Sequence, residues 1–185
     1  MSEAKSLQRG QYLELLRDGH WEFVRRVNAR GAVFVVAVTE ARELVLVEQY
    51  RVPVGERVFE LPAGIYGDSE SPTNETPEQC AIRELEEETG YRGKAAKVLL
   101  YGPVAPGLTD EMMYLVRVAG LTRVHGGGGV GTEEITVHAV PLKTVAGWLE
   151  RKREEGFQVE PRIYAALYFI EATTSAVLAP RKKRG

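Results

Sequence analysis

A chain of 185 residues with 24 Lys and Arg against 26 Asp and Glu has a formal net charge of −2, which supplies no overall electrostatic pull toward nucleic acid or an anionic membrane. Its one cysteine, Cys80, excludes an intrachain disulfide framework and any zinc site of several thiolates, and fits a reducing compartment. The opening MSEAKSLQRG lacks the apolar core of a signal peptide and no run of about 18 apolar residues occurs, so the expectation is a cytoplasmic, single-domain protein without membrane or nucleic-acid partners.

After the polar start, QYLELL (11–16) and HWEFVRRV (20–27) are predicted to be two short strands, with the Asp18–Gly19 pair turning an N-terminal hairpin. AVFVVAV (32–38) and ELVLVEQY (43–50) are rich in β-branched residues and read as central strands joined by the polar TEAR. RVFELPAG (57–64) adds a short strand stopped by Pro62 and Gly64. From Thr76 to Thr89 the pattern is helical: Thr76 suits the N-cap, Pro77 the first turn and Gly90 the position past the end, while Ala81, Ile82 and Leu85 form an apolar stripe. Strands at 97–101, 112–118 and 134–140 and helices near 142–155 and 161–173 follow. This order lacks the alternation of a doubly wound parallel sheet, so the expected class is α+β, a mixed sheet with helices packed on it.

HGGGGVGTEE (125–134) is the low-complexity stretch. Its glycines fall between predicted strands, which argues against a dinucleotide phosphate loop and for a mobile loop carrying Glu133 and Glu134. PRKKRG (180–185) reads as a solvated basic tail. His20, His125 and His138 lack metal-ligand spacing. Cys80 reads as a small buried residue without a paired His, and Trp148 as helix packing.

On the predicted helix, Glu84, Glu87 and Glu88 share a face while Glu86 points elsewhere. Three like charges on one face repel. Arg83, four residues before Glu87, relieves part of this repulsion, and a hard divalent cation would convert the remainder into binding, since Mg²⁺ takes carboxylate and carbonyl oxygens and keeps several waters.

RELEEETGY (83–91) resembles the second half of the Nudix box, in which a glycine, five residues, a glutamate and seven residues precede R-E-U-x-E-E-x-G-U, with U a bulky apolar residue. Arg83, Glu84, Leu85, Glu87, Glu88 and Gly90 occupy box positions, Tyr91 takes the last apolar one, and Glu75 stands eight residues before Arg83. The box's first glycine is displaced: Ser69 stands in its place counting back from Glu75. Either Gly64 is that glycine and the loop to Glu75 is longer, or Gly64 and Glu70 keep the first spacing and the extra residues follow Glu70. Both place an insertion within IYGDSESPTNE.

The resemblance implies the Nudix fold, a mixed β-sheet between helices (an α/β/α sandwich) with a small N-terminal antiparallel strand lobe. It divides the chain into a strand lobe at 1–30 that forms a dimer, a Nudix domain at 31–175 and a basic tail at 176–185. It also implies hydrolysis of a nucleoside diphosphate linked to another group, with two or three Mg²⁺ ions, or Mn²⁺ in their place. Glu84 and Glu88 would be the principal metal ligands, with Glu87 assisting or held by Arg83 and the Ala63 carbonyl as a further ligand.

Pro106 in APGLTDE, sixteen residues after Gly90, together with VEQYRVPVGERVFELPAG, EEITVHAVPL and VEPRIYAAL, is similar to the ADP-ribose pyrophosphatase branch. That likeness implies cleavage of ADP-ribose to AMP and ribose 5-phosphate. The alternatives are another nucleoside diphosphate sugar, such as ADP-glucose or GDP-mannose, a damaged nucleotide, or a non-catalytic ADP-ribose sensor. It implies Glu133, with Glu134 second, as the glutamate completing the site. Arg51 would face the substrate phosphates and Glu111 would contact substrate. The branch is typically homodimeric, with an aromatic from the N-terminal lobe stacked on adenine; Trp21 is the residue in question, and packing the hairpin on the core is its competing role.

Overall fold

The structure, a computed structural model, describes residues 4–67, 74–129 and 134–174. The N-terminal lobe is a three-stranded antiparallel sheet of β1 (Lys5–Arg9), β2 (Leu13–Asp18) and β3 (Trp21–Arg26), in that order. The expected hairpin is therefore present, with an added strand. KSLQR has no apolar alternation because all five residues are exposed, and the strand is held to β2 by backbone pairing.

Two four-stranded sheets form the body. The first runs β7 (Ala63–Tyr66), β4 (Gly31–Ala37), β10 (Met112–Ala119), β9 (Ala95–Pro103). It is mixed, since β4 and β10 pair in parallel while the outer pairs are antiparallel. The second runs β12 (Thr136–Pro141), β5 (Glu43–Arg51), β6 (Glu56–Glu60), β13 (Gln158–Val159). The segment 57–64, predicted as one strand, divides at Leu61–Pro62 so that β6 and β7 enter different sheets. Pro62 cannot donate to a ladder, but its carbonyl accepts from Val35 N (2.8 Å) and fixes the corner. A short pair, β8 (Tyr91–Arg92) with β11 (Thr122–Arg123), completes the strands.

The helices are α1 (Pro77–Thr89), α2 (Val145–Glu154) and α3 (Arg162–Thr174). The core splits across the body. Val33, Val35, Ala37 and Val45 pack with Cys80, Ala81 and Leu85 of α1, whereas Val36, Leu44, Leu46 and Phe59 pack with Leu149 of α2 and Ile163, Ala166 and Ile170 of α3. Successive residues of β4 and β5 thus feed opposite layers, the period-two consequence of strands covered on both faces. The result is the expected α+β fold, helices on both sides of sheet. Among the described residues no helix is long and apolar enough to cross a membrane.

Candidate active site

Helix α1 positions the carboxylates, and its own caps fix where it starts and stops. Thr76 accepts from Gln79 N (3.3 Å) while the Gln79 side chain accepts from Thr76 N (2.8 Å), a reciprocal capping box with Pro77 in the first turn. Gly90 ends the helix in the left-handed region (φ 73°). Burial of Cys80, Ala81 and Leu85 sets the rotation of the helix, which presents Glu84 and Glu88 to the chain at β7.

Both carboxylates meet that strand at its first two residues. Glu88, only 6% exposed, accepts from the Ala63 amide (3.0 Å). The Glu84 side chain lies where a Cβ on Gly64 would stand, so a side chain there would displace the carboxylate. Glu84 also pairs with Arg83 (2.8 Å).

Arg83 is the hub of the cluster. Its guanidinium meets both oxygens of Glu75 (2.9 and 3.3 Å), Glu84 (2.8 Å) and Glu87 (3.0 Å). Burial opposes its charge, but the Glu75 hydrogen bond and the neighbouring Glu84 carboxylate outweigh that cost and hold Arg83 above its already high ordinary value. Glu75 is 7% exposed, so the glutamate set against Arg83 is Glu75; Glu70 and Ser69 lie outside the described residues. Burial, followed by the charges of Glu75 and Glu84, pushes the Cys80 thiol far up, as befits an inert core cysteine. An open groove of about 420 Å³ runs along the outer side of α1, lined by Gln79, Ile82, Arg83, Glu86, Glu87 and His125.

The end of α1 is electrostatically unfavourable by itself. Glu86, Glu87 and Glu88 crowd the last turn, which has no basic residue. Acidic groups there face the negative end of the helix dipole, which opposes their charge. Arg92 answers Glu86 with two hydrogen bonds (2.7 and 2.6 Å) and lowers its carboxyl from the ordinary value. The rest is met by the glycine stretch. The expectation of a mobile loop is corrected for residues 127–129, which are seated against α1: Gly128 N donates to Glu88 O (2.8 Å) and Gly129 N to Glu87 O (3.3 Å). Glu133 lies outside the described residues, and Glu134 is exposed.

The remaining candidates are spread around this centre. Arg51, at the end of β5, makes a two-pronged pair with Glu60 of β6 (2.8 and 2.5 Å), and Glu60 is only 8% exposed. Trp21 is 53% exposed at the β2–β3 turn and meets His20 edge-on, so within one chain it does not pack the lobe on the core. Pro106 sits exposed in a turn closed by Leu108 N to Ala105 O (2.9 Å). Glu111 is bound to Arg26 (2.6 Å), and Asp110 to Arg25 (2.7 Å). With Val24 N donating to Leu108 O (2.9 Å), the PGLTDE segment is the seat on which the lobe docks.

Sequence reasoning missed the service of Glu60 to Arg51 and the docking of the glycines. The first follows from cross-strand pairing that no local spacing reveals. The second had a signal, a glycine run too long for an ordinary turn.

Among the described residues no three His, Cys, Asp or Glu side chains already form a metal cage. The donor set still fits a hard divalent ion: two glutamates one helical turn apart converge on the start of β7, and Gly64 leaves the room that the Glu84 carboxylate needs. Mg²⁺ completes such partial sets with water and substrate oxygens.

Residues 28–163 match the NUDIX domain. The chain is 34% identical over 128 residues to a methanol dehydrogenase activator of Bacillus methanolicus, covering 69% of this chain and 66% of that protein. It is 39% identical over 89 residues to an ADP-ribose pyrophosphatase of Bacillus subtilis (48% and 45%). It is 33% identical over 160 residues to an ADP-sugar pyrophosphatase of Mus musculus (78% and 71%). The first two matches thus span less than two thirds of the relatives' own length. A solved ADP compounds hydrolase superposes with a TM-score of 0.72 at 20% identity, covering 95% of this chain and 94% of that one, which concerns the fold alone. With the match running from β4 into α3 and the box carboxylates gathered on α1, the chain belongs to the NUDIX domain family.

Proposed function

We propose that the protein hydrolyses the diphosphate of ADP-ribose to AMP and ribose 5-phosphate with Mg²⁺, or Mn²⁺ in its place. The observation that carries this reading is the convergence of Glu84 and Glu88 on Ala63 and Gly64 at the start of β7. Relatives named for ADP-ribose and ADP-sugar cleavage support the substrate class. Two or three bound ions would neutralise the diphosphate and lower the pKa of the attacking water.

The chain's own residues have separable tasks. Glu84, Glu88 and the Ala63 carbonyl hold the metal. Arg83 offsets the charge of Glu75, Glu84 and Glu87 and keeps Glu87 from repelling its neighbours. Arg51, aimed by Glu60, binds phosphate oxygens. Glu133, or Glu134 in its place, takes the proton of the attacking water, Trp21 stacks on adenine, and Pro106 and Glu111 border the substrate. Residues 1–30 form a homodimer lobe, 31–175 the catalytic domain and 176–185 a basic tail, in the cytoplasm; the exposed Tyr12, Leu13 and Trp21 supply apolar surface for a second copy to cover.

A hydrolysis panel with Mg²⁺, comparing ADP-ribose, ADP-glucose, GDP-mannose and 8-oxo-dGTP by kcat/KM, tests the reading. ADP-ribose should lead and yield AMP. A different leader would replace the substrate but keep the metal helix, whereas tight ADP-ribose binding without turnover would make the protein a sensor. Sedimentation equilibrium should give twice the chain mass.

A further inference from the structure

The end of α1 carries Glu88, one of the residues assigned to the metal site, yet it is the part of the helix least able to hold itself. The last carbonyls of any helix have no partner within it, and here the last turn is also crowded with like charge. The missing donors arrive from a segment more than thirty residues away. Val124 N donates to Gly90 O (2.8 Å), Gly128 N to Glu88 O (2.8 Å) and Gly129 N to Glu87 O (3.3 Å).

The approach is too close for any side chain. A Cβ on Gly127 would overlap the backbone of Thr89 and the Glu88 carbonyl, and one on Gly90 would overlap the His125 carbonyl. Both glycines also have positive φ (75° and 73°). Gly127 N is turned inward to His125 Nδ1 (3.0 Å), which folds the segment back on the helix. Gly126 differs: a Cβ there meets nothing and its φ is not positive.

We propose that Gly127, Gly128 and Gly129 are positioning residues, a clamp that binds the last-turn carbonyls of Glu87 and Glu88 and keeps the Glu88 carboxylate against the Ala63 amide, in register for metal. Glycine is required at 127 because two backbones cross there at contact distance, and the Gly128 and Gly129 amides beside that crossing satisfy carbonyls that would otherwise fray. The inference rests on the metal reading of Glu84 and Glu88.

The test compares Gly127→Ala with Gly126→Ala, using Mn²⁺ binding followed by electron paramagnetic resonance and amide exchange at Gly128 and Gly129. Gly127→Ala should weaken Mn²⁺ binding at least about tenfold and strip protection from both amides, while the substrate KM at saturating metal stays within about twofold. Gly126→Ala should match the wild type in every readout. Gly128→Ala, strained by its φ of 117° but free of overlap, is the second variant should Gly127→Ala fail to fold, and should show the same pattern more weakly. Wild-type Mn²⁺ affinity in a folded Gly127→Ala or Gly128→Ala protein would overturn the clamp. If the wild type itself bound no Mn²⁺ while both amides stayed protected, the metal reading of α1, and the clamp's purpose with it, would fall; unprotected amides beside normal Mn²⁺ binding would overturn the clamp alone.

Discussion

Two carboxylate–arginine clusters lie on opposite sides of the body, and their charge ratios differ. On the α2 side, Glu48 takes Arg57 (2.5 Å) and His138 (3.0 Å), with Phe59 edge-on and Trp148 tilted against the imidazole. One carboxylate there has at least one cation. On the α1 side, one guanidinium serves Glu75, Glu84 and Glu87, with Glu88 beside them. Surplus negative charge in a partly buried cluster is relieved by protonation or by a bound cation, and the metal proposed for α1 would supply the cation. The balanced cluster is complete as it stands, whereas the unbalanced one has the charge that the proposed metal would offset.

The most direct way to break the comparison is to remove surplus charge where it is most buried. Glu88→Gln keeps the shape of the side chain and lowers its value as a metal ligand, so turnover should fall at least about a hundredfold with the fold intact, metal-assisted charge stabilisation being several kcal/mol. Steady-state kinetics beside a circular dichroism melt decides it, and full activity would sink the metal assignment.

Removing the cation should work the other way. Arg83→Ala leaves three carboxylates without their shared partner, at about 3 kcal/mol of stability. Because the site is then more negative, added Mg²⁺ should raise the melting temperature of the variant more than that of the wild type. Equal metal-induced gains in both proteins would show that Arg83 does not set the charge of the site.

Much of this site was legible in the linear order of residues. Thr76, Pro77 and Gly90 bracket α1 by local chemistry, and the three- and four-residue spacing of Glu84, Glu87 and Glu88 places them on one face, because helical geometry is set within a turn. Non-local pairing was not legible. β1 is polar throughout, so its backbone partnership with β2 leaves no pattern, and the division of 57–64 between two sheets depends on which strands β6 and β7 meet. The docking of Gly127 on Thr89 depends on a contact across the fold, and glycine looks the same in a loose loop and in a tight crossing.

A third, smaller effect sharpens what Glu60 does on the site's side of the body. Glu60→Gln replaces a two-pronged carboxylate with a single acceptor, so Arg51 keeps its charge but loses its aim. The substrate KM should rise about tenfold, equivalent to about 1.4 kcal/mol, while kcat moves less than about threefold. A drop confined to kcat would place Glu60 in the chemical step.

The smallest effect belongs to the balanced cluster, and pH reveals it. Burial alone would raise the Glu48 carboxyl, but the Arg57 hydrogen bond and His138 outweigh it and hold the group below its ordinary value of 4.5. The folded protein therefore keeps Glu48 ionised at pH values where the unfolded chain has begun to protonate it. The stability this provides is complete well above pH 4.5 and is lost as pH falls through the depressed folded value. Glu48→Gln removes the titration, so the wild type should exceed the variant by about 1 kcal/mol at pH 7, with the gap closing as the pH falls below 4.5. Urea melts of both proteins across that range provide the measurement. A gap that does not change with pH would mean that Glu48 acts by shape and neutral hydrogen bonding, and that charge balance is not what separates the two clusters.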